Sequence, residues 1–149
     1  MTPPRSVAVG IGNLLRSDDG VGIRIVEALG PRSGPDIAVK TVHQLTPELA
    51  EALQGAPRVA FVDAALDLKP GEVSVRVVEP EAGLFSTPHA LTPAEVLAVV
   101  RYLGSAAPAA RWFTVGVACV DHGVTLSRLV ADAMEPAAER VLAWLRAPC

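Results

Sequence analysis

Five short runs of β-branched and aromatic residues alternate along the chain with stretches of helical periodicity, and this alternation limits the possible folds more than any other feature. Val7-Ala8-Val9, Ile37-Ala38-Val39-Lys40-Thr41-Val42, Val59-Ala60-Phe61-Val62, Val73-Ser74-Val75-Arg76-Val77-Val78 and Trp112-Phe113-Thr114-Val115-Gly116-Val117 read as strands. Between the first two, Val21, Ile25 and Leu29 recur at helical spacing until Gly30-Pro31 ends the pattern. Thr92-Pro93-Ala94-Glu95 has the form of a capping box with proline at the first helical position, and that helix is expected to reach about Leu103. An apolar stripe from Leu126 to Leu145 predicts a last helix, kinked where Pro136 removes a backbone donor; a shorter helix is expected from Thr46-Pro47-Glu48. Parallel strands require crossover connections, and helices supply them. The expectation is an α/β three-layer sandwich: a mostly parallel five-stranded sheet flanked by helices on both faces. The fourth run alternates with Ser74 and Arg76, which places it at an edge or leaves one face exposed.

A length of 149 residues suits a single domain spanning 1–149. Half the residues are apolar and 19% are charged, a balance that supports a packed core and argues against disorder. The net charge of −3 offers no electrostatic attraction to nucleic acid. No run approaches the roughly twenty apolar residues of a membrane span, and Met1-Thr2-Pro3-Pro4-Arg5 does not begin a secretory signal, so the expected location is cytoplasmic. Cys119 and Cys149 match no paired metal spacing. Cys119, in the apolar run Val115–Val120, is expected to fill the core and not to act as a nucleophile.

The chemistry concentrates where strands end. Gly10-Ile11-Gly12 follows the first strand and suggests a dinucleotide turn, but Leu15 stands where the third glycine of that fingerprint belongs, and no acidic residue closes the second strand. A nucleotide-binding oxidoreductase domain is therefore a minor alternative, and the simpler expectation is that these glycines make a tight turn. Asp18 and Asp19 adjoin the first helix. One is expected to cap it while the other projects into the cleft, since neighbouring like charges need a cation, a proton or solvent to relieve them. Asp63 comes directly after the third strand, where ligand groups gather in doubly wound sheets. His89 sits in the loop Ser86-Thr87-Pro88-His89-Ala90 ahead of the capped helix. Two carboxylates and an imidazole can bind a divalent metal such as nickel or zinc with positions left open. His43 and His122 read as loop residues, of which His43 is the better placed to extend the site.

These residues resemble a known family, the endopeptidases that mature the large subunit of nickel-iron hydrogenases. The resemblance rests on Gly10-Ile11-Gly12-Asn13-Leu14-Leu15 with Asp18-Asp19-Gly20-Val21-Gly22, on Phe61-Val62-Asp63-Ala64, on Pro88-His89-Ala90-Leu91 and on Met134-Glu135-Pro136, and it extends over nearly the whole chain. It implies removal of a C-terminal extension from the hydrogenase precursor after nickel insertion, with Asp19, Asp63 and His89 at the nickel-contacting and catalytic positions. It further implies that the nickel arrives with the substrate, that no nucleotide cofactor is used, and that Gly12, Asn13, His43 and Gln44 touch the substrate. Aspartate at 19 departs from members that carry glutamate there, and His43-Gln44-Leu45-Thr46 replaces the Asp-Gly-rich loop of others. A nickel-dependent assembly chaperone that binds the precursor without cutting it is the alternative from another functional class.

Overall fold

The computed structural model describes residues 5–81 and 90–148. His89 and Cys149 lie outside them. The strands are β1 (Ser6–Ile11), β2 (Ile37–Val42), β3 (Arg58–Ala65), β4 (Val73–Val78) and β5 (Ala109–Gly116); the helices are α1 (Val21–Leu29), α2 (Leu49–Leu53), α3 (Pro93–Tyr102) and α4 (Arg128–Arg146). The strands form one sheet in the order β2-β1-β3-β5-β4. Every pairing is parallel except that of β4 with β5, so the expected mostly parallel sheet carries one antiparallel edge strand.

Alternation along the strands sorts the core into two halves. Ala8, Ala60, Val62, Phe113 and Val115 point toward α1 and α4, whose Val21, Ile25, Leu29, Val130, Ala137 and Val141 complete that cluster. Val7, Val9, Val59, Phe61 and Ala110 point the other way and pack with Leu49, Leu53, Val96, Leu97 and Val100 of α2 and α3. The interior strands are therefore apolar on both faces, as their unbroken runs predict, while β4 exposes Arg76 and Val77.

Several boundaries differ from the sequence-based expectation. β3 runs on through Asp63 to Ala65, so this carboxylate lies within the strand and not after it. Hydrogen bonding to β5, with Asp63 opposite Thr114 and Ala65 opposite Gly116, extends it. Thr46-Pro47-Glu48 forms a turn, bonded through Leu49 N–H to Thr46 C=O (3.1 Å), and the helix that follows is only five residues long. α3 has both hydrogen bonds of the expected capping box, and α4 continues through Pro136 as one nineteen-residue helix.

The glycines serve close packing more than turning. A Cβ on Gly22 in α1 would lie 2.3 Å from Val62 C=O, and one on Gly10 would lie 2.7 Å from Gly22 C=O, so α1 rests directly on β1 and β3. The helix-facing glycine of the opening motif is thereby accounted for without a phosphate. Gly12 does sit at a turn, with φ +152° and with Asp19 C=O so close that a Cβ would lie 2.1 Å from it.

Candidate active site

The chain leaves β1 at Ile11, and a 3-10 turn over Ser17–Gly20 carries Asp18 and Asp19 across the carboxyl end of the sheet. In the strand order, β2 and β3 lie on opposite sides of β1, so the topology reverses beside β1, and such reversals open a crevice where ligands bind. Asp19 comes from the β1 side of this crevice and Asp63 from the β3 side. Along β3, Asp63 falls on the same face as Phe61, toward α2 and α3.

Asp18 and Asp19 have separated roles, and neither caps α1: Gly20 occupies the cap position and makes no side-chain hydrogen bond there, contrary to expectation. The Asp18 side chain is fully buried. It accepts from the backbone N–H groups of Ala118, Cys119 and Ser127 at 2.9, 3.0 and 2.7 Å, and from the Ser127 hydroxyl at 2.7 Å. Burial alone would raise its pKa, but these four donors outweigh it and hold the carboxyl below its ordinary value. Asp18 thus fastens the segment between β5 and α4 over the site. Ser17 makes the junction possible by adopting φ +51°, rare for a residue with a side chain; its N–H bonds to Gly123 C=O and its hydroxyl to Asp121 C=O.

Asp19 lies near enough to Asp63 for its charge to act on it. The Asp19 charge is one of the influences that raise the Asp63 pKa, after burial and against the opposing Ala64 hydrogen bond, and the result is about 6. Each carboxylate is anchored by one oxygen: Asp19 Oδ2 accepts Asn13 N–H at 3.0 Å, and Asp63 Oδ1 accepts Ala64 N–H at 2.8 Å. The other oxygen of each has no hydrogen bond among the described residues. Two oriented carboxylates with a free oxygen apiece, mutually repelling, suit a cation or a shared proton. Among the described residues no three His, Cys, Asp or Glu side chains form a metal-binding group, and His89 falls outside them. Leu91, two residues further on, bonds through its N–H to Leu45 C=O at 3.0 Å and packs in the same half of the core as Phe61.

Gly12, Asn13 and His43 line one cavity of about 210 Å³ with Leu14, Leu15 and Ile23; Gln44 is not part of its lining. His122 is exposed in the turn after Asp121. Cys119 departs from the expectation of a core residue: it is half-buried, with its Sγ 3.8 Å from Asp121 Oδ2. Ser127 and Ser17 were not legible as site residues, because each acts through a hydrogen bond across more than a hundred positions. Thr114, opposite Asp63 on β5, is buried with its hydroxyl unpaired among the described residues.

No family model matches the chain. It is, however, 31% identical over 149 residues to the Hydrogenase 2 maturation protease of Escherichia coli K12, spanning 95% of this chain and 91% of that protein. The chain belongs to the hydrogenase maturation protease family. The solved hydrogenase maturating endopeptidase HybD of E. coli superimposes with a TM-score of 0.73 at 27% identity, covering 95% of this chain and 92% of that one. The HybD maturation protease of Thermococcus kodakarensis shares the fold at a TM-score of 0.70 and 22% identity, over 95% and 99% of the two chains. This maturation protease is accordingly a peptidase, and its crevice at the carboxyl ends of β1 and β3 is the candidate place for peptide hydrolysis.

Proposed function

We propose that this maturation protease removes the C-terminal extension of a nickel-iron hydrogenase large-subunit precursor in the cytoplasm, and that it recognises the nickel already bound by that precursor. The observation that carries this reading is that the Asp19 charge acts across the crevice on the Asp63 carboxyl, whose pKa is raised, with each carboxylate held by a backbone N–H and its other oxygen without a hydrogen bond among the described residues. In this reading the two carboxylates, with the His89 imidazole, fill coordination positions that the precursor leaves open on its nickel. Gly12, Asn13 and His43 then border the bound tail. Precursors without nickel bind weakly because the paired carboxylates keep their repulsion unrelieved, so cleavage follows metal loading. With the scissile amide held beside the carboxylates, hydrolysis adds hydroxide to the carbonyl carbon and a proton to the departing nitrogen. No nucleotide is required. Among the described residues no helix is long and apolar enough to cross a membrane.

The test is incubation with candidate precursors, with and without nickel, followed by intact-mass measurement. Shortening of the nickel-loaded precursor alone is the expected result, and it should disappear in Asp19→Asn, Asp63→Asn and His89→Ala variants that retain wild-type circular dichroism. Full trimming by all three variants would overturn the site, and a precursor that is bound but never shortened would identify an assembly chaperone instead.

A further inference from the structure

Away from the crevice, β4 ends the sheet with one side of its backbone unpaired among the described residues. Its pairing begins at a bulge where Gly71, at φ +83°, donates to Gly116 C=O (2.9 Å) and Gly116 N–H donates to Glu72 C=O (2.8 Å). Counting in twos from Glu72, the peptide groups of Ser74, Arg76 and Val78 face β5, and those of Val73, Val75 and Val77 face outward. Val77 is also 67% exposed.

Two clefts border this edge, one of about 370 Å³ and one of about 900 Å³, and they share Val77, Arg111 and Trp144. Arg140 lines the smaller, Arg101 and Glu79 the larger. Arg111 stacks over the Trp144 ring at 5.2 Å, and Arg76 over Trp112 at 5.6 Å on the opposite face. Among the described residues, none of Arg76, Arg101, Arg111 and Arg140 has a carboxylate within ion-pair distance; the ion pairs present are Arg32 with Glu135 and Arg146 with Asp36. A chain of net charge −3 thus gathers, among the described residues, four guanidinium groups without an ion pair around its antiparallel edge strand. Four guanidinium groups against the one carboxylate of Glu79 leave this edge predominantly positive, which opposes pairing of two such edges with each other and favours an acidic partner strand.

We propose that the β4 edge is a docking site for an extended acidic segment of another protein, which adds to the sheet as a sixth strand. Main-chain bonds to Val73, Val75 and Val77 supply register, apolar side chains enter the cleft beside Trp144, and carboxylates meet Arg101, Arg111 and Arg140. This surface is separate from the acidic crevice, so the inference stands whether or not the nickel reading does.

The test is an NMR titration of the full-length, isotope-labelled chain at low salt with a capped peptide of alternating glutamate and valine. A lysine–valine peptide and oligothymidylate run alongside. The expected result is that the amides of Val75 and Val77 shift and gain protection from hydrogen exchange with the glutamate peptide, more weakly as salt rises. The double variant Arg101→Glu, Arg140→Glu, both exposed positions outside the crevice, should bind it about tenfold more weakly with an unchanged melting temperature. Equal binding of the lysine peptide overturns the proposal, as does stronger displacement of the same amides by oligothymidylate, or the absence of any shift along β4.

Discussion

Asp18 keeps a charge in a fully buried position because four donors converge on it from Ala118, Cys119 and Ser127. An amide in its place turns one acceptor into a donor that faces other donors. Asp18→Asn should therefore lose about 3 kcal/mol of stability, measured by urea denaturation, and free the segment before α4 to exchange its amide protons. A loss below about 0.5 kcal/mol would mean that the carboxylate does not hold this segment. Its neighbour Asp19 has one oxygen on Asn13 N–H and the other without a hydrogen bond among the described residues. The sequence identified the pair as significant, because one helix start needs at most one cap. It did not reveal which aspartate turns inward, since that depends on the φ of Ser17 and on Ser127, which lies 109 residues from Asp18. Asp63 was legible for a simpler reason: a carboxylate closing a buried apolar run has few places to go other than the sheet's carboxyl end.

At the scale of elements, α1 positions the acidic turn, and its seat is set by glycine. Gly22 brings the helix backbone against Val62 C=O and Ile11 C=O, both within 3 Å of where a Cβ would stand. Gly22→Ala must push α1 off β1 and β3. A loss of about 3 kcal/mol is expected, with reduced precursor trimming because Asp19 moves away from Asp63 when the helix lifts; thermal melts and the intact-mass assay check the two effects. Wild-type stability in this variant would show that the helix can shift at no cost. The strand and helix identities were readable because periodicity survives burial, whereas the ends were set by partners elsewhere in the chain. β3 continues past its apolar run because β5 pairs with it residue for residue up to Gly116. Pro136 does not end α4, because the buried stripe of Val130, Ala133, Ala137, Val141 and Leu145 continues on both sides of it and packs onto the sheet. Propensity gives way there to tertiary burial.

For the molecule as a whole, the site opposes stability, and the opposition has a definite sign with pH. Burial and the Asp19 charge raise the Asp63 pKa from an ordinary 3.8 to about 6, against the Ala64 hydrogen bond. Between those two values the folded chain holds a proton that the unfolded chain has released, so stability falls as pH rises from about 4 through about 6, by up to about 3 kcal/mol. Asp18 works in the reverse direction, since a lowered pKa gives stability that is lost only when strong acid protonates it. Asparagine at 63 can keep the Ala64 bond through its oxygen and carries no charge. Urea midpoints measured across this range should therefore diverge: Asp63→Asn gains on the wild type through pH 4 to 6 and keeps the advantage at pH 8. Parallel curves for the two proteins would show that Asp63 ionises without penalty. The same repulsion gives a divalent cation its purchase, so nickel chloride at pH 8 should raise the wild-type melting temperature more than that of Asp63→Asn. In the proposed reading, the instability that two strained carboxylates cost the free fold is what a metal-bearing substrate would relieve on binding, so the nickel-dependent rise and the pH-dependent loss should vanish together in Asp63→Asn.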